Sequence, residues 1–316
     1  MRRKIIPIAL LVILTLIIAG VLLFETREQT KLKMGTFVRI VLHGERWLDF
    51  DNAFKKAFDA IDKIDKTANV YDPDSELSRL NQKACVEPIA VSNELFALID
   101  YSLKLSDETD GIFDATAFPL VELWKRYQNG GQAPSTDEID KALSFVGYKF
   151  IKLDESQKTV FFGKKGLALD LSAIAKGFAA DRAIVELEKC GFKSAVVNAG
   201  GDLYCLGRKY FLMKWKIGIM DPADNKRIES ILYLTDKAAA TSGGYEQHFT
   251  YEGKEYTHII NTKTGYPKEV RFSSVTVIAS ACMIADGIAT AVLAGGKNVK
   301  KEIQESYPGI DIIVKD

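Results

Sequence analysis

The chain has 316 residues, of which 47% are hydrophobic and 27% are charged, which suits one large globular unit or two closely merged ones. This composition excludes a disordered or fibrous protein. Lysine plus arginine and aspartate plus glutamate both number 42, and the resulting formal net charge of zero predicts no nucleic acid partner.

The chain begins with a segment that is typical of a membrane anchor. Three basic residues from Arg2 to Lys4 precede an uncharged apolar run from Ile5 to Phe24. At about 1.5 Å per helical residue, this run is long enough to cross a hydrocarbon core of about 30 Å. Residues 1–24 are therefore predicted to form a single-pass N-terminal transmembrane helix. The basic flank predicts an N-terminus in the cytoplasm and a body outside it.

A cleaved signal segment is the alternative for residues 1–24. The apolar run exceeds the usual length of about 7 to 15 residues in signal peptides, and it lacks a clear A-x-A cleavage site, so an uncleaved anchor is favoured. Residues 25–33 are rich in charge and are predicted to be a linker. Residues 34–316 are predicted to form one domain.

The cysteines do not indicate a metal or redox site. Cys85, Cys190, Cys205 and Cys282 are scattered and show no C-x-x-C spacing. We interpret them as small buried thiols, and disulfide pairing, which an extracytoplasmic location would permit, stays open.

The first half of the domain is predicted to be mainly helical. Thr36 to Leu42 is typical of a strand because β-branched and aromatic residues dominate it. Apolar residues at three- and four-residue steps then predict helices from Phe50 to about Lys66 and from Ser92 to Leu105. A further helix is predicted from about Ala173 to Lys189, with Gly191 as its stop signal.

The second half is richer in strands, and helices persist between them. The predicted strands are Ala195–Asn198, Asp202–Leu206, Trp215–Met220, Ile228–Leu234, Val275–Ile278, Ile310–Val314 and a hairpin over Tyr245–Ile260. Helices are predicted over Ile284–Leu293 and Val299–Glu305. Because strands and helices do not alternate strictly and no internal repeat is present, the predicted fold class is α+β, with mixed sheets and packed helices.

The stretch from Leu169 to Gly177 is typical of a strand that runs into a helix. Ser172 lies near the predicted cap and Lys176 in the first turn. Free backbone N–H groups, a favourable dipole and a cation together suit a phosphate. An ordinary capped helix is the alternative, and Asp170 is either a turn former or a polar anchor for a ligand.

Asp286 and Thr290 are four residues apart, so they share one face of a helix. Carboxylate and hydroxyl oxygens are the hard ligands that Mg²⁺ prefers, and Mg²⁺ usually takes one or two protein carboxylates plus substrate phosphates. The alternative is a purely structural pair in which Asp286 favours the helix dipole and Thr290 bonds back to the helix.

The hairpin over Tyr245–Ile260 carries a candidate base. A turn at Glu252-Gly253 would pair Gln247 with His258. The chain has three histidines, His43, His248 and His258, which argues against a multi-histidine metal site. Taken alone, each of the three is more often structural than catalytic.

Taken together, these segments resemble the ApbE family of flavin transferases, which attach FMN from FAD to proteins. The resemblance covers nearly all of the chain after the anchor. It is carried in order by Met34–Thr36, Tyr71–Asn81, Gly111–Asp114 with Leu120 and Trp124, Asp170–Gly177, Asn198–Asp202, Ser242–Tyr245, His258–Asn261 with Thr264-Gly265, and Asp286–Thr290.

The resemblance implies an ApbE-like fold over residues 34–316 and a site with three kinds of residue. The metal ligands implied are the main-chain oxygen of Ala173 with Asp286 and Thr290, and the implied catalytic residues are His258, as the base, and Lys176. The implied FAD contacts are Met34, Tyr71, Thr116, Ala117, Phe118, Asp170, Lys176 and, on the adenine side, Ile260. Ala115 and Ala117-Phe118 depart from the family's usual Pro and Val-Gly around Thr116.

The implied activity is Mg²⁺-dependent transfer of FMN from FAD to a Ser or Thr hydroxyl of an acceptor protein, with release of AMP. Breaking the FAD pyrophosphate requires neutralisation of its charge, which Mg²⁺ and Lys176 together would supply. The anchor implies a catalytic body outside the cytoplasm, acting on exported or membrane-bound acceptors such as redox subunits. The alternatives are an FAD pyrophosphatase that gives FMN and AMP, and a non-catalytic membrane-tethered flavin-binding protein.

Overall fold

The computed structural model describes residues 23–127, 133–210, 212–243, 248–251, 254–269 and 272–316. Within these ranges no helix is both long and apolar enough to cross a membrane. The predicted anchor, residues 1–24, lies outside the described residues except for its last two.

A seven-stranded antiparallel sheet forms the centre of the fold, in the order β1-β2-β6-β7-β10-β14-β15. Its strands are β1 (Phe24–Lys33), β2 (Thr36–Glu45), β6 (Ala195–Ala199), β7 (Asp202–Leu206), β10 (Lys237–Gly243), β14 (Ser274–Ala279) and β15 (Asp311–Lys315). The prediction placed strands on five of these seven segments. It missed β10 and β1.

Strand β1 corrects the prediction that residues 25–33 are a linker. All ten of its residues pair with β2, from Phe24 opposite Glu45 to Lys33 opposite Thr36. The segment is an edge strand with mostly exposed side chains, so it lacks the alternation of apolar residues that marks a half-buried strand. Its charged side chains form ion pairs at the surface, such as that of Lys33 Nζ with Asp62 at 2.8 Å. The folded domain therefore begins at about Phe24, not at Met34.

Helices cover one face of the large sheet and build the main core with it. The helices are α1 (Phe50–Ala68), α2 (Glu76–Lys83), α3 (Asn93–Glu108), α4 (Phe118–Tyr127), α5 (Thr136–Leu143), α6 (Ser172–Lys189) and α7 (Cys282–Ser306). Helix α7 is broken at Gly296, where φ is 70°, and this break separates the two helices predicted for the region. The start of α3 is as predicted, with the Ser92 hydroxyl accepting the N–H of Leu95 at 3.2 Å.

Three smaller sheets lie around this centre. They are built from β3 (Ile89–Ala90), β4 (Ile151–Asp154) and β5 (Thr159–Phe162); from β8 (Trp215–Asp221) and β9 (Asp224–Leu234); and from β11 (His248–Tyr251), β12 (Lys254–Ile260) and β13 (Pro267–Glu269). The predicted hairpin is the pair β11 and β12. Its register, from His248 opposite Thr257 to Tyr251 opposite Lys254, is the predicted one. The predicted turn at Glu252-Gly253 lies outside the described residues.

The four cysteines are all free thiols, as the favoured interpretation expected. Cys205 and Cys282 are buried. The mixed arrangement of antiparallel sheets and packed helices confirms the α+β fold class.

Candidate active site

A cavity of about 690 Å³ opens where several segments of the large sheet and the helices end. The β1–β2 turn at Met34-Gly35, the β6–β7 turn at Gly200, the first turn of α6 and the last residues of β10 all line it. Asp286 and Thr290 on α7 also line it. Segments far apart in sequence thus meet at one end of the sheet.

A buried ionic cluster forms the floor of this cavity. The Lys176 ammonium lies 2.9 Å from Asp202 Oδ2 and 3.7 Å from Asp286 Oδ2. Both carboxylates are almost fully buried, whereas the lysine side chain is about one third exposed toward the cavity. With both acids ionised, the cluster would carry two negative charges and one positive charge.

Burial and mutual repulsion set the protonation of this cluster. Desolvation and the nearby Asp202 raise the pKa of Asp286, and desolvation also raises the pKa of Asp202 although Lys176 opposes it. Burial alone would lower the pKa of Lys176, but the two carboxylates outweigh burial and raise it. The lysine is therefore held as a cation, and Asp286 tends to bind a proton unless another cation lies beside it.

The donors around Asp286 fit a small hard cation. The Gly177 N–H, which in a regular helix would bond the carbonyl of Ala173, donates to Asp286 Oδ2 at 3.0 Å. Ala173 itself lines the cavity. The Thr290 hydroxyl lies one helical turn after Asp286 and 3.2 Å from the Ser242 hydroxyl. Ala173, Asp286 and Thr290 therefore line the same cavity, and carboxylate, carbonyl and hydroxyl oxygens are the ligand types that Mg²⁺ prefers.

Within the described ranges, no group of three or more His, Cys, Asp or Glu side chains is placed to hold a metal ion. A cation bound at Asp286 would therefore depend on main-chain and hydroxyl oxygens and on the phosphates of a ligand. That is the usual mode of Mg²⁺ binding in phosphoryl-transfer sites.

An aromatic wall borders the cavity at its mouth. The rings of Tyr71 and Phe118 meet edge to face with centroids 6.0 Å apart, and Lys125 Nζ lies 4.2 Å from the Tyr71 ring centroid. Tyr71 is 54% exposed in the absence of a ligand. Partial burial, with the carboxylates of Asp170 and Glu122 nearby, raises the pKa of Tyr71 to about 12, so its hydroxyl stays protonated. The wall offers planar surface and a cation to an aromatic ligand.

Asp170 lies just before α6, in residues 167–171, which form no strand, so the predicted strand before this helix is wrong. Its Oδ1 accepts the N–H of Ser172 at 2.8 Å, and its own N–H donates to the carbonyl of Ala115. Burial raises the pKa of Asp170. Asp170 thus forms the turn that one sequence interpretation expected, and it also lines the cavity; its role as an anchor for a ligand stays a prediction.

Thr116 is the one predicted FAD contact among the fully described residues that does not line the cavity. Its side chain is fully buried, its hydroxyl donates to Asp114 Oδ1 at 2.7 Å, and the same hydroxyl accepts the N–H of Gly147. Its neighbours Ala117 and Phe118 do line the cavity. Thr116 therefore lies in the interior, next to the residues that form the aromatic wall.

Ile260 ends β12 and lines the cavity, as does Met34 in the β1–β2 turn. His258, the predicted base, precedes Ile260 by two residues in β12. The side chain of His258 lies outside the described part of the chain. Of the predicted site residues other than His258, all but Thr116 are therefore brought together around one cavity.

Two residues of the site were not among the predicted ligands, Asp202 and Ser242. Asp202 follows two glycines and lies in Asn198–Asp202, one of the segments that carry the resemblance. Ser242 lies in another such segment, but its contact with Thr290, 48 residues away in sequence, forms only because β10 packs against α7.

The cavity thus combines a buried ionic cluster with an aromatic wall. A model of the ApbE family matches residues 34–314, and the chain therefore belongs to the ApbE family. The chain is accordingly an enzyme of the transferase class.

Named relatives and solved structures agree with this membership. The FAD:protein FMN transferase of Treponema pallidum is 28% identical over 301 residues, covering 90% of this chain and 83% of that protein. The FAD:protein FMN transferase of Vibrio cholerae is 32% identical over 252 residues, covering 78% of this chain and 74% of that protein. The structure of the ApbE protein from Thermotoga maritima superposes with a TM-score of 0.81 at 32% identity, covering 92% of this chain and 94% of that one. The ApbE-like α+β fold is thereby confirmed.

Proposed function

We propose that this chain transfers FMN from FAD to a Ser or Thr hydroxyl of an acceptor protein and releases AMP. The observation that carries the proposal is the cluster of Lys176, Asp202 and Asp286 beside the start of α6, in a cavity with an aromatic wall. The FAD:protein FMN transferases among its relatives support the same reaction.

Asp286, Thr290 and the carbonyl of Ala173 would hold Mg²⁺, because their oxygens border the acidic part of the cavity. Bound there, Mg²⁺ would withdraw charge from the pyrophosphate oxygens and so favour cleavage of the P–O–P bridge. The Gly177 N–H orients Asp286, and Ser242 orients the Thr290 hydroxyl.

Lys176 supplies a fixed positive charge for the phosphates. Its pairing with Asp202 at 2.9 Å holds the ammonium in place, and its raised pKa keeps it protonated at neutral pH. The N-terminal end of α6, whose dipole favours negative charge, lies on the same side of the cavity. Together these groups stabilise the charge that develops on the leaving phosphate.

In the proposed reaction the acceptor hydroxyl attacks the phosphorus on the FMN side of FAD. An O–P bond forms to the acceptor, the bridging P–O bond breaks, and AMP leaves. We assign the hydroxyl proton to His258, because an imidazole with an unperturbed pKa of about 6.5 can act as a base at neutral pH. Tyr71, Phe118 and Lys125 would bind the aromatic part of FAD.

The proposed location is the outer side of the membrane, with the segment before β1 as the anchor, since Phe24 already pairs with Glu45. The basic residues from Arg2 to Lys4 support this orientation. The proposed acceptors are then exported or membrane-bound proteins such as redox subunits, for which a covalent phosphodiester prevents loss of the flavin.

The proposal is tested by measuring AMP release from FAD with the full-length protein in detergent and Mg²⁺. A purified acceptor domain is compared with the same domain in which the acceptor Ser or Thr is replaced by Ala. A transferase releases AMP only with the intact acceptor, and little free FMN accumulates. AMP and free FMN that appear in equal amounts with either domain would instead identify an FAD pyrophosphatase. If no AMP forms with either domain, both enzymatic functions are contradicted, and the remaining candidate is a non-catalytic flavin-binding protein.

A further inference from the structure

The end of the large sheet opposite the cavity carries a cluster of exposed apolar side chains. Three segments contribute to it: the start of β1, the β2–α1 turn and the segment from Gly207 to Lys214. The exposed apolar residues are Leu23, Trp47, Tyr210, Leu212 and Met213, and we call them the distal patch. Trp47 is 70% exposed and Leu212 is 82% exposed, so burial within the fold does not explain either.

Backbone and ring contacts hold the three segments together. The Arg46 N–H donates to the carbonyl of Leu23 at 2.9 Å, which places Trp47 beside the start of β1. The His43 ring is stacked on Phe24 with centroids 5.7 Å apart, and it meets the Tyr210 ring edge to face at 4.7 Å. The distal patch is therefore one built surface and not a chance scatter of side chains.

Lys209 and Met213 form an isolated antiparallel bridge after β7. Lys209 and Met213 exchange backbone hydrogen bonds of 2.8 and 3.0 Å, and the guanidinium of Arg208 donates to the carbonyl of Leu212. The sequence from Arg208 to Lys214 reads Arg-Lys-Tyr-Phe-Leu-Met-Lys. Basic residues therefore flank four aromatic or apolar residues, and the stretch contains no acidic residue. Apolar side chains with aromatic residues and flanking cations are typical of segments that lie in the interface of a bilayer.

Exposed apolar side chains also occur elsewhere, such as Phe37 on β2. The distal patch differs in its position, because the apolar run from Ile5 to Phe24 ends within it. A membrane crossed by that run would therefore meet this surface first. The exposed cations Arg46, Arg208 and Lys214 would face the headgroups, and anionic lipids attract such residues.

We propose that the distal patch lies on the surface of the membrane in which the chain is anchored, with the cavity facing away from it. The inference rests on the proposed anchor and on the proposed position of the body outside the cytoplasm. The occupant of the surface is the lipid of the outer leaflet.

The strands set the distance between membrane and cavity. Strand β2 runs from the cavity at Thr36 to the distal patch at Glu45, and its ten residues span about 30 Å at roughly 3.3 Å each. Helix α6 begins at the cavity and ends at Lys189 near the other end of the sheet, and its 18 residues span about 27 Å at 1.5 Å each. Both measures place the cavity about 30 Å from the patch.

Tryptophan fluorescence tests this arrangement in the full-length protein. The chain has three tryptophans, and Trp124 and Trp215 are buried, so lipid quenchers reach only Trp47. The protein is reconstituted in phosphatidylglycerol vesicles that contain brominated acyl chains, which quench indoles by contact. We expect loss of most of the Trp47 emission, and no loss in the Trp47→Phe variant.

A probe at the other end of the same strand is the matched control. Phe37 is 71% exposed and lies next to the cavity end of β2, so Phe37→Trp in the Trp47→Phe background gives an exposed indole about 30 Å away. We expect dissolved iodide, and not brominated lipid, to quench this probe. The double substitution Leu212→Asp with Met213→Asp should reduce quenching of Trp47 by lipid several-fold. Both side chains are exposed, so flotation with vesicles and FMN transfer to a soluble acceptor should persist.

Three results would overturn the inference. If the protein floats with the vesicles but Trp47 is not quenched, the chain is anchored and the distal patch does not contact lipid. The distal patch would then be a site of protein contact. Failure to float removes the anchor and the inference with it. Equal lipid quenching at positions 47 and 37 contradicts the orientation. None of these readouts depends on FMN transfer, so failure of the proposed reaction is recognised separately.

Discussion

At the scale of single residues, Asp286 connects the proposed metal to the proposed phosphate site. It accepts the Gly177 N–H at 3.0 Å and lies 3.7 Å from the Lys176 ammonium. The spacing of Asp286 and Thr290 was enough to predict from sequence that they share a helix face, and both line the cavity.

We expect Asp286→Asn to abolish turnover, because the amide preserves shape but provides no negative charge for Mg²⁺. Thr290→Ala should reduce turnover less, since a neutral hydroxyl is the weaker ligand. A ligand that binds the folded state raises its melting temperature, so Mg²⁺ should raise that of the wild type and not that of Asp286→Asn. Equal stabilisation of both proteins by Mg²⁺ would contradict the metal assignment.

The role of His258 is tested against the other histidine of the same hairpin. We expect His258→Ala to slow the chemical step by about 10² to 10⁴, the usual range for loss of a general base, with FAD affinity nearly unchanged. His248→Ala should remain close to wild type. Single-turnover kinetics and FAD titration separate the two effects. If both variants lose the same rate, His258 is not the base.

Residue types alone could not assign every member of the site. Asp202 became a partner of Lys176 only because β7 places it beside the first turns of α6. Thr116 shows the reverse case, since it lies within a family motif but its hydroxyl bonds Asp114 and Gly147 in the interior. A motif locates a segment, whereas burial and hydrogen bonding decide which side chain in it faces the cavity.

At the scale of elements, the start of α7 is fixed by a half-buried carboxylate on α6. Asp181 accepts the N–H of Cys282 through Oδ1 at 2.7 Å and the N–H of Met283 through Oδ2 at 2.9 Å. Gly177 provides the close contact between these helices, because a Cβ there would lie 2.4 Å from the carbonyl oxygen of Cys282. These two contacts set the position of Asp286 one turn further along α7.

Asp181 predicts a specific pH dependence of stability. Burial, opposed by the two backbone hydrogen bonds, raises the pKa of Asp181 to about 6 from its ordinary value of 3.8. The folded state therefore holds a proton that the unfolded state has released, and the free energy of unfolding falls as pH rises from about 4 to 6. The effect is about 2 to 3 kcal/mol at most.

Chemical denaturation of the wild type and of Asp181→Asn at pH 4.5 and pH 7 measures this effect. The asparagine cannot titrate, and it also weakens the cap because its NH₂ group accepts no hydrogen bond. We expect the advantage of the wild type over Asp181→Asn to be larger at pH 4.5 than at pH 7. An advantage that is the same at both pH values would show that Asp181 does not retain its proton in the folded state.

The elements were predictable from sequence where one face is buried. Helix α1 and the hairpin of β11 and β12 carry clear periodic or turn signals, and the structure has them. Strand β1 was missed because it lies at an edge with charged, exposed side chains. The order of the seven strands was not predictable, since it depends on pairings such as β2 with β6 that join residues far apart in sequence.

At the scale of the whole molecule, the position of the cavity limits which acceptors an anchored enzyme can reach. If the distal patch lies on the membrane, the acceptor hydroxyl must be presented about 30 Å above the bilayer. A fully extended peptide spans about 3.3 Å per residue. A linker shorter than about nine residues therefore cannot bring the acceptor hydroxyl from the membrane to the cavity.

We therefore expect transfer to depend on linker length when the acceptor segment and the enzyme share one membrane. Acceptor segments joined to a transmembrane helix by Gly/Ser linkers of about 5 residues should remain unmodified, and those with about 30 residues should be modified. A soluble form of the same segment should be modified in either case. Efficient modification through the shortest linker would contradict the proposed distance.

The central claim is that FMN leaves FAD for a protein hydroxyl, and the intact mass of the acceptor tests it most directly. The full-length enzyme is incubated with FAD, Mg²⁺ and an exported acceptor domain, and the acceptor is then denatured and weighed by mass spectrometry. The account predicts a gain equal to FMN less one water, located by fragmentation on a Ser or Thr and lost with Asp286→Asn enzyme. An unchanged acceptor mass while FAD is converted to free FMN and AMP would contradict the account.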